Sequence, residues 1–449
     1  MIAAGNPLWS PAKFSCEEEL PMRDRNREMA ERIAEAVARQ GGRVYYVGGL
    51  VRDRLLGREN KDVDIEVHGI RPEALEAILD RLGQRTEMGA SFGVYGLRHY
   101  ELDIAMPRKE QATGRGHRDF AVFVDPFLGT QKAAQRRDFT MNALMEDVLT
   151  GEIIDHFGGQ ADLMQGVVRH VNDISFAEDP LRVLRAAQFA ARFGFAVAEE
   201  TVALCGRMDL TALASERIYG ELEKALLKSP HPSTFFELLR QMGQLRHWFP
   251  EVEALIGARQ ECGKDAWSHS MRVLDRAAQL RSEAREPAAF MLSALCCDFP
   301  TPEVAEALLS RLTTERLLHR YVTNMVELRS QPVELAAQHA EAERFCQLYD
   351  RSACPEDLLL LVRAAAPDGD WAPVETELQD MLAHYKRIMA LPFVQGADLV
   401  AAGFEPGRDF HQALAYAHEM RLAGVSKAEA LPRTKEYLMK LRRNGGNAQ

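Results

Sequence analysis

Two aspartates, Asp62 and Asp64, flank Val63 in a run that reads as a strand, Lys-Asp-Val-Asp-Ile-Glu-Val over 61–67. Alternate side chains of a strand share a face, so both carboxylates point the same way, close together. Unpaired, they repel and raise each other's pKa. A divalent cation removes that cost, and hard oxygen ligands suit Mg²⁺. Shortly before them, Gly48 and Gly49 follow a short apolar run and open an expected helix, Leu50 to Leu56. Glycines let backbone amides approach a phosphate, and a helix start adds a partial positive charge. An Asp-x-Asp alone fits a solvated strand edge, and a glycine pair alone fits a plain turn. Their order and proximity point instead to a metal–triphosphate site that transfers nucleotides. The dinucleotide fingerprint is absent, since no third spaced glycine follows. The phosphate-binding P-loop is absent too, since no Gly-Lys-Ser/Thr follows.

Gly-Gly-x-Val-Arg-Asp at 48–53, followed by Asp62-x-Asp64, resembles the head motif of the class II tRNA nucleotidyltransferases and their relatives, the bacterial poly(A) polymerases. These belong to the DNA polymerase beta-like superfamily. The resemblance implies an α+β fold class: a small polymerase beta-like head with a mixed sheet and helices, then an all-α neck, body and tail. It implies two-metal chemistry with Asp62 and Asp64 as ligands. It also implies a third carboxylate on a neighbouring strand, for which Asp103 in Leu-Asp-Ile-Ala-Met-Pro-Arg is the candidate; Glu101 shares its face. Gly48, Gly49 and Arg52 of the head motif are expected at the substrate.

Further down, Arg136-Arg137-Asp138-Phe-Thr-Met-Asn142-Ala-Leu matches the second motif of this family. Paired arginines suit phosphate oxygens, and Asp138 or Asn142 can bond a ribose hydroxyl. A capped helix start with solvated arginines is the bland alternative. The run Asp155-His-Phe-Gly158-Gly159-Gln-Ala-Asp162-Leu163 fits the third motif, either a hinge after the head or a strand–turn–helix connection.

Phe176 to Phe195 contains Glu178-Asp179-Pro180-Leu-Arg182-Val-Leu-Arg185. Pro180 suits a first helical turn, with Asp179 as N-cap and Leu181, Leu184, Ala187 and Ala191 as the buried stripe. Asp179 and Arg182 are three apart, hence neighbours on one face, and an intrahelical ion pair would account for them. A sharper reading is a template made of protein. Asp179 only accepts and Arg182 only donates. Cytosine and adenine each offer an amino donor beside a ring-nitrogen acceptor. Uracil and guanine offer a carbonyl beside an N–H and would meet like with like. This is the family's nucleotide-selecting motif, in which Glu178 steadies the arginine and Arg185 reaches triphosphate. Ser215-Glu-Arg217-Ile-x-x-Glu221-Leu matches the family's last motif, with Ser215 as cap and Glu221 paired to Arg217.

The elements that must position these groups follow from periodicity. Met29, Ile33 and Val37 mark an amphipathic helix over 23–40, Val-Tyr-Tyr-Val a first strand, and 72–83 a helix begun by Pro72. A strand pair spans roughly 92–106. Residues 107–120, basic and glycine-containing, read as a mobile loop; in CCA-adding relatives such a loop helps the switch from C to A. The whole chain has 449 residues, 46% hydrophobic and 27% charged, an ordinary globular composition of about three domains. No apolar run approaches the ~20 residues that span a bilayer, and no export signal opens the chain, so a cytoplasmic protein without membrane contact is expected. Seven cysteines without a C-x-x-C pair fit reduced thiols. The net charge of −11 opposes a nucleic-acid binder, so any RNA contact falls to local clusters: Arg136-Arg137, the arginines after Asp179, and Lys435 to Arg443.

From about 232 the chain is helical and rich in leucine and alanine. His269 and Cys297-Asp298 resemble an HD phosphohydrolase pair in which cysteine replaces the second histidine, so a scaffold rather than a hydrolase is expected. The tail ends in a basic amphipathic run, a place for the tRNA elbow or a solvated helix. The expected organisation is an irregular arm over 1–22, a catalytic head over 23–160, a neck over 161–231, a body over 232–375 and a tail over 376–449. The resemblance implies an Mg²⁺-dependent enzyme that adds CCA to tRNA from CTP and ATP. An A-adding enzyme partnered with a CC-adding one, or a poly(A) polymerase, is the alternative.

Overall fold

The computed structural model describes residues 22–60, 62–89, 93–112, 120–259, 265–366 and 371–445. Residues 1–21 of the expected arm and the tip of the 107–120 loop lie outside them. The chain divides into two compact units, Met1–Asp179 and Pro180–Gln449.

The first unit is an α/β layer. Helix α1 (Met22–Ala38) buries Met29, Ile33 and Val37, the stripe that its spacing predicts, and packs on the sheet. The strands are β1 (Arg43–Val47), β2 (Val63–His68), β3 (Arg85–Gly89), β4 (Val94–Leu97), β5 (Leu102–Ala105), β8 (Met145–Asp147) and β9 (Ile153–Ile154). They form one mixed sheet in the order β3-β4-β5-β2-β1-β8-β9. Only β2 and β5 run parallel; every other neighbouring pair is antiparallel. Helix α2 (Gly49–Leu55) follows β1, and α3 (Pro72–Leu82) follows β2, with Pro72 in its first turn as expected. Tyr45 and Val47 of β1 pack with Ala134, Ala143 and Met145.

The 107–120 segment differs from the expected loop. Strands β6 (Arg108–Ala112) and β7 (Phe120–Val124) pair in antiparallel register from Arg108↔Val124 to Ala112↔Phe120. Backbone pairing, rather than an alternating apolar face, holds the two arms together, which is why the pattern of side chains did not show them. The first unit also runs past 160. After α4 (Thr130–Gln135) the chain makes a 3₁₀ turn at Thr140–Asn142. Then Thr140 N donates to Arg169 O and Val171 N to Asp138 O, which keeps 161–179, with α5 (Gly159–Gln165) and α6 (Asp173–Ala177), on the head.

The second unit is built from helices. Helix α7 (Leu181–Phe193) buries Leu181, Leu184, Ala187 and Ala191, as its stripe predicts, and packs on α9 (Ser215–Lys228) and α10 (Ser233–Gln241). Helix α8 spans Glu199–Cys205. Phe235, Phe236 and Phe249 meet edge to face in a fully buried cluster. Further on, α22 (Asp409–Leu422) and α23 (Lys427–Gly445) form a closing pair over Leu399, Ala413 and Leu438. No described helix is long and apolar enough to cross a membrane.

Candidate active site

The parallel pairing of β2 with β5 sets Asp64 directly beside Asp103. The third carboxylate expected from sequence therefore stands where the sheet register demands. Asp62 lies one residue ahead of β2 and is exposed, as is Asp103, while Asp64 is partly buried. The Asp64 carboxyl is pushed up to about 6. Burial is the largest cause, the Asp103 charge the next, and Asp62 adds to it, while Arg137 pulls the other way. This is an acidic cluster short of positive charge. Among the described residues, no group of three or more His, Cys, Asp or Glu is gathered tightly enough to hold a metal by itself.

Glu66, two residues beyond Asp64, shares its face and was missed in the sequence, although the same period-two rule applies to it. It is buried, with Oε1 2.8 Å from His68 Nε2 and Oε2 3.4 Å from Arg137 Nη2. Burial alone would raise its pKa, but the His68 hydrogen bond and the Arg137 charge outweigh it and hold the carboxyl below its usual range. Glu66 and His68 thus fix Arg137 beside Asp64.

The glycine pair now has a physical reason. Gly48 has φ +67°, and a Cβ there would stand 3.1 Å from Arg137 Nη1. A Cβ on Gly49 would meet the Asn60 amide at 3.4 Å and the Arg52 guanidinium at 3.5 Å. Helix α2 starts at Gly49, so the head motif and the second motif meet here. Arg52 and Asp53 are buried. Arg52 donates from Nε to Asp53 Oδ1 at 2.8 Å and from Nη1 to Asn142 Oδ1 at 2.7 Å. Asn142 Nδ2 donates to Asp138 Oδ1 at 2.9 Å, and the same oxygen accepts from Phe139 N at 2.8 Å. The expected ribose and phosphate groups Arg52, Asp138 and Asn142 therefore form one buried network. The two arginines diverge: Arg136 Nη1 donates to Arg108 O on β6 at 3.1 Å, and Arg137 faces Glu66.

The third motif locks this corner. Asp155 accepts from the N–H groups of Gly159 at 2.9 Å and Gln160 at 3.0 Å, capping α5. A Cβ on Gly159 would lie 2.3 Å from Thr140 O, so only glycine lets α5 approach the 3₁₀ turn. Thr140 Oγ1 donates to Asp162 Oδ2 at 2.7 Å across that contact.

In the segment expected to read the base, Glu178 is exposed and Asp179 half-buried at the end of the first unit, while Arg182 and Arg185 lie in the opening turns of α7. Helix α7 begins at Leu181 with Pro180 just ahead of it, already in helical backbone at φ −59° as a first-turn proline is. Ser215 is the first residue of α9 rather than its cap, which is Ala214. Glu221 does not use Arg217. It pairs with Lys224 at 2.9 Å and with Arg185 at 3.5 Å, and Arg185 also lies over the Phe189 ring. Glu221 thus engages a neighbour on its own helix, Lys224, together with one on α7, Arg185.

In α13 (Ala266–Leu280), His269 Nδ1 lies 2.7 Å from Asp298 Oδ2, which also accepts from Ser270 Oγ at 2.6 Å. The histidine is packed rather than on the surface. Burial pushes the Cys297 thiol up to about 12, so it stays protonated beside this pair.

Residues 44–169 match the family model of the poly A polymerase head domain, and 194–256 that of a probable RNA and SrmB-binding site of polymerase A. The multifunctional CCA protein of Haemophilus ducreyi is 37% identical over 294 residues, 63% of this chain and 68% of the relative. This chain belongs to the multifunctional CCA protein family. The family's member from Nitrosococcus oceani is 43% identical over 250 residues, 54% of this chain. The chain spans 60% of that relative and 57% of the one from Halorhodospira halophila. A Bacillus stearothermophilus CCA-adding enzyme solved with CTP has a TM-score of 0.67 at 23% identity, covering 94% of this chain and 99% of that one. A Thermotoga maritima CCA-adding enzyme solved with tRNA has a TM-score of 0.65 at 23% identity, covering 92% and 95%. The likeness confirms the expected fold, an α+β head followed by helices.

Proposed function

We propose that this chain adds CCA to the 3′ end of tRNA from CTP and ATP without a nucleic-acid template, releasing pyrophosphate. The observation that carries this is the carboxylate cluster at the β2–β5 pairing, with Asp64 beside Asp103, Asp62 two residues before Asp64 and Arg137 as the nearby positive charge. The named relatives and the structures solved with ATP, CTP and tRNA support the choice of substrates.

Asp62 and Asp64 would hold a divalent cation, Mg²⁺, with Asp103 beside them. Bound there, it would lower the pKa of the RNA terminal hydroxyl and neutralise the triphosphate for in-line attack on the α-phosphorus. Arg137, steadied by Glu66, meets phosphate charge, and the glycine pair keeps side chains out of its way. Asn142 and Asp138 present polar atoms for the ribose. Asp179 accepts from the amino group of cytosine or adenine while Arg182 donates to the ring nitrogen, so CTP and then ATP are admitted. Arg185 is aligned by Glu221.

The test is extension of end-labelled RNAs with Mg²⁺ and single or mixed nucleotides: a tRNA transcript lacking CCA, one lacking only the final A, and a non-tRNA RNA. Three residues added to the first from CTP plus ATP are expected. One A added to the second, with no extension of the first, would mean an A-adding enzyme. A long A ladder on the third would mean a poly(A) polymerase.

A further inference from the structure

Asp64 is held in place by the sheet: it pairs with Asp103 of β5, and its neighbour Ile65 pairs with Tyr46 of β1. Asp62 is not. The ladder with β5 begins at Val63↔Leu102 and the ladder with β1 ends at Tyr46↔Ile65, so Asp62 stands outside both. Something other than the sheet must set where its carboxylate stands.

We infer that Asn60 is the positioning residue for Asp62, and that it acts through a buried hydrogen-bond relay running from the second motif. Asp62 N donates to Asn60 Oδ1 at 3.0 Å. Asn60 Nδ2 donates to Asp53 Oδ2 at 2.8 Å. The other Asp53 oxygen accepts from Arg52, whose Nη1 donates to Asn142 Oδ1 at 2.7 Å, and Asn142 Nδ2 donates to Asp138 Oδ1 at 2.9 Å. Each amide accepts on its oxygen and donates from its nitrogen, Asp53 and Asp138 only accept and Arg52 only donates, so no pair is mismatched. Its inner members are almost fully enclosed, at 4% exposure for Arg52, 2% for Asp53, 6% for Asn142 and 8% for Asp138. The chain between α2 and β2 is tied back at a second point, where Arg58 N donates to Asp53 O at 2.8 Å. A rigid buried anchor thus reaches the backbone N–H of the exposed Asp62 through one half-buried amide. The same network that presents Asn142 and Asp138 to the ribose would fix the carboxylate nearest the attacking hydroxyl.

This rests on the proposed nucleotidyl transfer, and the experiment separates the two. Asn60→Ala and Asn60→Ser are compared with the wild type in tRNA extension and in calorimetric titration with Mn²⁺. Serine keeps a turn acceptor for the Asp62 N–H but does not reach Asp53. Both variants are expected to melt within a few degrees of the wild type and to keep KM for CTP. Both should lose roughly 10- to 100-fold in kcat, as misplacement of a reacting group does, and should bind Mn²⁺ several-fold more weakly. Wild-type kcat and Mn²⁺ affinity in Asn60→Ala, or full rescue by serine, would overturn the relay. If the wild type adds nothing to any RNA, the proposed function fails, and the Mn²⁺ titration still decides whether Asn60 positions Asp62.

Discussion

At the scale of single residues, Asp64 carries a pH dependence whose sign is fixed. An unfolded aspartate ionises near 3.9, whereas the folded Asp64 carboxyl is pushed up to about 6 by burial and by Asp103. Between these values the folded state binds more protons, so this group makes the metal-free protein less stable as pH rises from about 4 through 6. A divalent cation favours the ionised form and offsets that loss. Thermal unfolding with and without Mn²⁺ should therefore show a larger metal-induced rise in Tm at pH 7.5 than at pH 5; equal shifts would contradict the assignment. Base choice is also a single-residue property. Replacing Asp179 or Arg182 by alanine should lower CTP and ATP use by about 10²-fold or more, because each base would lose a buried partner worth ~1–3 kcal/mol, and should narrow the margin over UTP; competition assays with all four nucleotides would read this. The Asp62 and Asp64 carboxylates stood out in the sequence because period-two spacing puts such a pair on one face. Glu66 obeyed the same spacing and was overlooked. Asn60 carried no signal at all, since its partner Asp53 is brought near only when the chain between α2 and β2 folds back.

At the scale of elements, close approach decides more than propensity. Gly159 seats α5 against the 3₁₀ turn with its Cα hydrogen facing the Thr140 carbonyl. Gly159→Ala forces backbone apart and should cost about 3 kcal/mol, at the upper end for overpacking, seen as a fall in Tm of the first unit; a neutral substitution would refute that packing. Gly48→Ala meets both a left-handed backbone at φ +67° and the Arg137 guanidinium. It should cost about 1–2 kcal/mol in stability and raise KM for nucleotide, because Arg137 must move. The helices α1, α3 and α7 were legible because their stripes recur at helical spacing. The β6–β7 pair was not, because its register comes from backbone bonds. The Arg185 contact of Glu221 escaped for another reason: local rules name only neighbours on the same helix, and packing brought α7 alongside α9.

At the scale of the molecule, the proposed function requires an acidic chain of net charge −11 to hold RNA through few basic contacts. Its affinity for tRNA should then fall only gently with salt, with a log–log slope near −2 to −4 for a handful of phosphates; a slope of −8 would mean a wide basic footprint. In the second unit, Asp298 is engaged by His269 and Ser270 beside a protonated thiol. The α+β head followed by helices was readable because family motifs occur in order along the chain. The end of the first unit at Asp179 was not, since 161–179 return to the head through backbone bonds. All of this converges on the carboxylates at the β2–β5 pairing. The most direct measurement is the rate of three-residue extension on a tRNA lacking CCA by the wild type and by Asp64→Asn, which keeps shape and removes charge. The account predicts a loss of at least ~10³-fold, about 4 kcal/mol of transition-state stabilisation, with an unfolding temperature equal to or above that of the wild type. A variant active within tenfold of the wild type would contradict it.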